Sequence, residues 1–345
     1  MGGADHGFFL GLDTSCYTTS VGIVNEQGMV VKDLRRILQV KSGERGLRQS
    51  EALFQHVKNI PQLLAEAVAD TGDGLKLKAI GYSGRPRPRE ESYLPVFLAG
   101  ENFGKALAYS AGVPAYPFTH QEGHIRAALV DTALRLTTKN KRFLGFHLSG
   151  GTTEVLLVEK AGQGGYHLQI LGGTTDLHAG QMLDRLGVAM GLPFPAGRHL
   201  EELAKESLRQ AEGRVGGTEP GVIVDPLPIS VQDLSLSLSG PTSAAFRRLE
   251  AGAHLPDLAW AIQDCLLRSV AALLKNAVRK SGCRQILFFG GVASNSYLRQ
   301  GLISSFPQLE LYFARPELST DNGVGIALLA WEYWRDAHAG YNVDY

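Results

Sequence analysis

The stretch from Phe9 to Val24 (FLGLDTSCYTTSVGIV) recurs without a gap as Phe143 to Val158 (FLGFHLSGGTTEVLLV). Gly11 falls on Gly145, Ser15 on Ser149, Thr18 and Thr19 on Thr152 and Thr153, and Val21 on Val155, at a constant offset of 134. Each copy reads as two apolar, β-rich runs joined by small hydroxyl residues, which is a hairpin with a polar tip. An ungapped match over a whole hairpin points to internal duplication, and so to two related α/β lobes that each open on such a hairpin. With 345 residues, 44% of them hydrophobic, the chain has enough apolar material for two cores. The polar run Asp131 to Lys141 is the natural division, giving lobes at 8–135 and 142–345, with the last helix free to pack back on the first lobe.

Composition excludes several classes. Lys+Arg and Asp+Glu are both 34, so no global basic field advertises nucleic-acid binding, although a local groove remains open. Cys16, Cys265 and Cys283 form no CxxC pair, which argues against a disulfide framework or a thiolate zinc site and for a reducing compartment. The start MGGADHG lacks a charged residue followed by an apolar run, and no apolar run is long enough to span a bilayer. A cytoplasmic protein without membrane contact is expected.

Periodicity places helices over Ser50 to Asp70, interrupted at Pro61, over Pro95 to Ala111, His178 to Gly191 and Asp257 to Ser281, and from Asp321 to Trp334. The first of these puts Leu53, Phe54, Val57, Ile60, Leu63, Leu64, Ala67 and Val68 near one face, with His56 packed or at the surface. Strands are expected at Lys78 to Ser83, Val113 to Phe118, Tyr166 to Gly173, Gln285 to Phe289 and Leu309 to Ala314, and SLSLSGPTSAAF reads as a turn.

The chemistry gathers at strand ends. His120-Gln121-Glu122-Gly123-His124 follows a strand and starts a helix, where i, i+4 spacing stacks two imidazoles on one face within reach of one metal ion. Two ligands alone make a poor site, and an isolated HxxxH is equally a helix start with solvated histidines. Asp321, after Ser319-Thr320 at a predicted helix start, is either a capping residue or the third ligand. The tip Ser149-Gly150-Gly151-Thr152-Thr153 offers open backbone N–H groups and hydroxyls suited to a phosphate, or is a plain turn. Gly290-Gly291, ahead of Asn295 and a helix, allows close approach of an anionic ligand. Asp184 and Glu201 lie near glycine-containing turns, where exposed helix acids would look the same.

Taken together and in order, GLDTSC, HQEGH, LSGGTTEV, AGQMLD with PFPAG, SLSG, GGVASNSYLR and STDNGVGIA cover nearly the whole chain. In these the chain resembles the TsaD/Gcp/Kae-type family, the tRNA N6-adenosine threonylcarbamoyltransferases also called glycoprotease-like. The resemblance implies the actin/Hsp70/sugar-kinase-like fold of duplicated RNase H-like domains, in agreement with the repeated hairpin. It implies that His120, His124 and Asp321 hold one divalent metal ion, iron or zinc. Ser149 to Thr153 would contact an adenine nucleotide, threonylcarbamoyl-AMP or ATP, and Asp184, Gly197, Glu201 and Asn295 fall on further nucleotide-binding positions. No catalytic residue is implied beyond the metal ligands. The activity implied is transfer of threonylcarbamoyl to N6 of adenosine in tRNA, with TsaB-like and TsaE-like partner proteins or a homodimer.

The chain also departs from the family pattern. SGRPRPREESYLP stands in place of a GPG turn, Tyr17 and Thr18 replace acidic residues, the turn at Pro195-Ala196-Gly197 has one glycine, and only Asp176-Leu177 remains of an acidic pair. These changes spare the metal ligands and bear on acceptor and partner choice, so a paralogue with another acceptor and a non-catalytic nucleotide-binding scaffold are the rival expectations. Retention of all three ligands speaks against the scaffold. A peptidase is disfavoured because HQEGH lacks the glutamate next to the first histidine that HExxH enzymes use as base.

Overall fold

The computed structural model describes residues 7–15, 17–40, 47–69, 74–87, 92–132, 134, 141–161, 165–213, 225–319 and 321–339. In chain order the elements are β1 (Phe8–Asp13), β2 (Thr18–Asn25), β3 (Val30–Ile37), α1 (Gln49–Val68), β4 (Leu77–Arg85), α2 (Phe97–Ala111), β5 (Ala115–Thr119) and α3 (His120–Ala128). There follow β6 (Arg142–Leu148), β7 (Thr153–Lys160), β8 (Tyr166–Thr174), α4 (Ala179–Ala189), α5 (Gly197–Gly213), β9 (Ser230–Gln232), β10 (Ser235–Ser237), α6 (Ser239–Glu250), α7 (Leu255–Ser281), β11 (Gln285–Phe289), α8 (Ser296–Ser305), β12 (Glu310–Phe313) and α9 (Val324–Ala339).

Both sheets repeat one plan. Their strand orders are β3-β2-β1-β4-β5 and β12-β11-β6-β7-β8-β10-β9. Counted from the first strand of each repeated hairpin, both run third, second, first, fourth, fifth, and β10 and β9 extend the second sheet at one edge. In each, the opening strand pairs in parallel with the fourth and the fourth with the fifth. The duplication legible in the sequence is therefore a duplication of topology.

The chain forms two units. One comprises residues 1–131, 159–168 and 317–345, and the other 132–158 and 169–316. The segment carrying Asp321 and α9 thus groups with the first unit, so the units do not separate at one cut in the chain. Within the run Asp131 to Lys141, where the division was placed, residues 133 and 135–140 lie outside the described residues.

In the first unit, period-2 alternation along β1 does the sorting. Leu10 and Leu12 join Val21, Ile23, Ile80, Leu63 and Ala108 in a core beneath α1 and α2. Phe9 points the other way, to Val24, Ala79, Ala127, Val324 and Ala327 beneath α3 and α9. Gly11 and Asp13 share the face of Phe9. A Cβ on Gly11 would lie 2.2 Å from the Gly323 carbonyl oxygen, so the backbone ahead of α9 rests directly on the sheet there.

Three expectations are corrected. Pro61 does not interrupt α1, which runs unbroken from Gln49 to Val68. Pro61 is exposed, so water can take the carbonyl that its missing N–H would have bonded. The apolar stripe of α1 also splits. Ile60, Leu63 and Ala67 are buried with Ala52 and His56, whose Nδ1 lies 2.8 Å from Thr19 Oγ1, whereas Phe54, Val57 and Val68 are 58%, 43% and 42% exposed. Third, SLSLSGPTSAAF is not a turn: it forms β10 and the start of α6. Small residues alone concealed this helix start, which is organised by a carboxylate distant in the chain.

That carboxylate is Asp176. It accepts hydrogen bonds from Leu238 N (2.9 Å), Ser239 N (3.3 Å), Ser237 Oγ (2.6 Å) and Leu177 N (2.5 Å). Partial burial pushes the carboxyl up, but the bonds from Ser237, Ser239 and the backbone prevail and hold it well below the usual carboxylate range. A carboxylate depressed in the folded state stabilises fully above its unfolded pKa, about 3.9, and loses this as pH falls through the folded value. Asp176→Ala is expected to cost about 1 kcal/mol at neutral pH after allowance for solvent screening. The difference should shrink below about pH 4. Urea denaturation of both proteins at pH 7 and pH 3 checks it, and an equal difference at both would refute the assignment.

In the second unit α7 carries Leu258, Ile262, Cys265, Leu266, Val270, Leu273, Leu274 and Ala277 buried along one stripe. They pack with Leu144, Phe146, Val155, Ile286 and Phe288 of the sheet. Cys265 and Cys283 are free and buried, and Cys16 lies outside the described residues. No described helix is long and apolar enough to cross a membrane.

Candidate metal centre and nucleotide pocket

The two histidines sit on α3 because Thr119 starts it firmly. Thr119 Oγ1 accepts from Glu122 N (3.1 Å), and the Glu122 carboxylate accepts from Thr119 N (2.8 Å), a capping box that spans the first turn of HQEGH. The i, i+4 spacing then brings the rings of His120 and His124 to 4.3 Å between centroids, inclined at 73°. Asp321 arrives from the far end of the chain. Its Oδ1 lies 3.5 Å from His120 Nε2 and 3.3 Å from His124 Nε2. One ligand atom from each of the three residues falls within 4.8 Å of the others.

Asp321 is not the helix cap that its sequence position allowed. α9 starts at Val324, and Asn322 Oδ1 accepts from Gly325 N (3.0 Å), leaving the Asp321 carboxylate to the histidines. What carries Asp321 there is a close crossing of α9 over α3. A Cβ on Gly325 would sit 1.9 Å from the Gly123 carbonyl oxygen, and one on Gly123 would sit 2.8 Å from Ile326 Cδ1. The glycine inside HQEGH is thus a packing residue between the two histidines.

One residue of the centre escaped the sequence reading. Asp13, at the end of β1 and 1% exposed, accepts from His120 Nδ1 at 2.9 Å. It also accepts from Ser15 N (3.1 Å), Ser15 Oγ (3.0 Å) and Ser83 Oγ. With Nδ1–H committed to a carboxylate, His120 presents the lone pair of Nε2 beside Asp321, the arrangement that orients metal-bound histidines. Burial pushes the Asp13 carboxyl up, but the charge and hydrogen bond of His120, with Ser83 and His124, hold it well below its ordinary value. Burial lowers His120, yet Asp13 and Asp321 raise it above the usual histidine range, while burial and the charge of His120 lower His124. A site that raises one imidazole between two carboxylates favours positive charge there, from a proton or a metal cation. The sequence signal for Asp13 was its place in the repeat, opposite His147, where the second copy lacks a carboxylate.

Asp13→Asn keeps the shape and removes the charge. It is expected to weaken metal binding about 10- to 100-fold, measured by competition against a chelator of known affinity. Unchanged affinity would show that Asp13 serves folding alone.

In the second unit a cavity of about 720 Å³ is lined by Gly150, Asp184, Gly197, Glu201, Gly291 and Asn295, among others. Six of the sequence-selected positions therefore meet on one surface. Asp184 Oδ1 accepts from Ala196 N (2.8 Å), fixing the PFPAG turn, and Glu201 Oε1 accepts from Ser296 N (3.2 Å). Asn295 caps α8 through Leu298 N (2.8 Å) and donates to Gln263 Oε1 (2.8 Å), leaving one N–H and one lone pair. Ser149, Gly151, Thr152, Thr153 and Gly290 do not line the cavity itself. Ser149 Oγ accepts from Thr152 N (3.0 Å) and closes the tip, and buried Thr153 holds the start of α4 through Ala179 N (2.8 Å). A Cβ on Gly180 would lie 2.6 Å from Gly150 Cα, so α4 abuts the tip backbone. Gly290, at φ +95°, makes the turn that sends Gly291 onto the cavity wall.

The sequence profile of the family described as TsaD, tRNA N6-adenosine threonylcarbamoyltransferase, matches residues 38–328. The chain belongs to this family. A probable bifunctional tRNA threonylcarbamoyladenosine biosynthesis protein of Methanothermobacter thermautotrophicus is 32% identical over 325 residues, which are 93% of this chain and 54% of that protein. The chain thus spans about half the length of that relative. A tRNA N6-adenosine threonylcarbamoyltransferase of Thermus thermophilus is 32% identical over 323 residues, 93% of this chain and 91% of the relative. Among solved structures, full-length HypF in a phosphate- and nucleotide-bound form superposes with a TM-score of 0.56 at 11% identity, covering 94% of this chain and 46% of HypF. Component A of the Acidaminococcus fermentans (R)-2-hydroxyglutaryl-CoA dehydratase superposes with a TM-score of 0.52 at 13% identity, covering 96% and 99%. At these identities the likeness concerns the fold, the duplicated RNase H-like architecture of actin-, Hsp70- and sugar-kinase-like proteins. For this threonylcarbamoyltransferase-family chain, the fold expected from the repeat and the family expected from the motifs both hold.

Proposed function

We propose that the chain transfers a threonylcarbamoyl group from threonylcarbamoyl-AMP to N6 of an adenosine in tRNA. The observation that carries this is the His120, His124 and Asp321 cluster within a chain of this family. In the reaction the N6 nitrogen forms a bond to the carbamoyl carbon, the bond from that carbon to the phosphate oxygen breaks, AMP leaves, and N6 gives up a proton. The cavity bounded by Asp184, Gly197, Glu201 and Asn295 takes the adenylate, and the tip Ser149 to Thr153, closed by its own hydroxyl, offers N–H groups to the phosphate. The two imidazoles and one carboxylate suit one divalent ion, iron or zinc, with coordination positions left open. Such an ion would supply positive charge able to polarise a carbonyl oxygen. Asp13 orients His120, and the capping box holds both imidazoles on one turn.

A tRNA substrate fits a cytoplasmic location. For partner proteins, TsaB-like or TsaE-like, or for a second copy of the chain, α1 is the surface we assign. Phe54, Val57, Pro61 and Val68 recur at heptad-like spacing on its exposed side, a stripe suited to another helix. The test is complementation of a strain lacking its own transferase, with threonylcarbamoyladenosine measured in digested tRNA. Restored nucleoside is expected. Its absence, with soluble, metal-loaded protein and the partners present, would overturn the assignment.

A further inference from the structure

Beside the metal centre, in the first unit, lies a second cavity of about 350 Å³ that the reaction above does not use. It opens at the C-terminal ends of β4 and β5, where α/β sheets bind ligands. Thr119 and Glu122, the capping pair of α3, form part of its wall, so it directly adjoins His120 along the chain. Tyr82 and Phe118, both buried, make its sides, and Arg85 with the 53% exposed Tyr93 stands at the rim. Arg85 and Tyr93 come from SGRPRPREESYLP, the loop in which this chain departs from its family's pattern. The described start of that loop is tied to α3, where the Pro86 carbonyl accepts from Gln121 N (3.1 Å), and Ser92 Oγ donates to the Arg87 carbonyl (2.9 Å).

We propose that this cavity receives one unstacked nucleobase of a single-stranded RNA loop. Aromatic faces and a guanidinium plane are the surfaces on which unpaired bases stack. The volume lies at the lower end of the range for small-ligand pockets, about 300–1,000 Å³, so it suits a base rather than a nucleoside polyphosphate. Glu101 is paired with Lys105 at 2.6 Å, and the Arg85 guanidinium at the rim is the cation placed to meet the phosphodiester that follows a base. Local stacking of this kind also lets a chain of zero net charge hold RNA without a basic face. The inference rests on the tRNA reading above and adds a place for the RNA loop.

The test uses the full chain and a fluorescein-labelled RNA hairpin with an adenosine in its single-stranded loop, followed by anisotropy at fixed salt. Tyr93→Ala is expected to weaken binding about tenfold, Arg85→Ala several-fold, and Tyr93→Phe little, because the ring is kept. A fully paired duplex of the same stem should bind the native protein no better than the hairpin binds Tyr93→Ala. Tyr93 is half exposed, so metal content and thermal stability should stay native. Equal binding of hairpin and duplex, or a Tyr93→Ala protein that binds the hairpin as tightly as the native one, would overturn the proposal. A native protein that binds the hairpin through Tyr93 but forms no threonylcarbamoyladenosine would leave this cavity standing and overturn the transferase reading instead.

Discussion

His124→Ala is expected to abolish metal binding at the proposed centre and to lower threonylcarbamoyl transfer on the order of a thousandfold, as loss of a preorganised charge at a reacting carbonyl does. His124 lies 3.3 Å from Asp321 and in ring contact with His120, and the three form the one such cluster found among the described residues. Elemental analysis of native protein should give about one metal per chain, in line with open three-ligand sites, and the variant close to none. His120→Ala and Asp321→Ala should behave alike. Because a proton competes for the raised His120 imidazole, metal retention should weaken steadily as pH falls. A metal-free native protein with full activity would remove the metal from the mechanism.

Gly325→Ala is expected to disrupt the same cluster without altering His120, His124 or Asp321. Its new Cβ would meet the Gly123 backbone oxygen at 1.9 Å, and backbone cannot turn aside as a side chain can. α9 must move away from α3, carrying with it the segment that holds Asp321. Overpacking of this kind costs typically 1–3 kcal/mol, and a backbone clash belongs at the upper end, about 3 kcal/mol. Urea denaturation measures the loss, and weaker metal binding by the surviving folded fraction is expected with it. Gly240→Ala is the control, since a Cβ there meets nothing within 4 Å. A Gly325→Ala protein as stable as native would mean that the helices separate easily and that the crossing does not place Asp321.

Much of the fold was legible because it is local or repeated. The 134-residue echo of the hairpin foretold two sheets of one topology, and HQEGH foretold a strand-to-helix junction with both rings on one face. Other elements were not legible because their causes are remote. The start of α6 depends on Asp176, some sixty residues earlier in the chain. Pro61 is tolerated in α1 because it falls on the exposed side, which periodicity alone did not distinguish: Phe54 and Val57 look like core residues until the buried face is seen to run through Ala52, His56 and Ile60.

The same boundary runs through the candidate site. The ordered motifs, by their resemblance to a known family, pointed to that family, and residue chemistry and spacing singled out the two histidines and the glycine-rich turns, since each is a short-range pattern. Tertiary structure alone showed that Asp321 faces the two imidazoles rather than capping α9, because the crossing at Gly123 and Gly325 brings it there. It also decided the part of Asp13, whose meaning depends on a partner 107 residues away. Sequence can specify donor atoms and local geometry, but a centre assembled from β1, α3 and the approach to α9 exists only once packing has closed the distances between them.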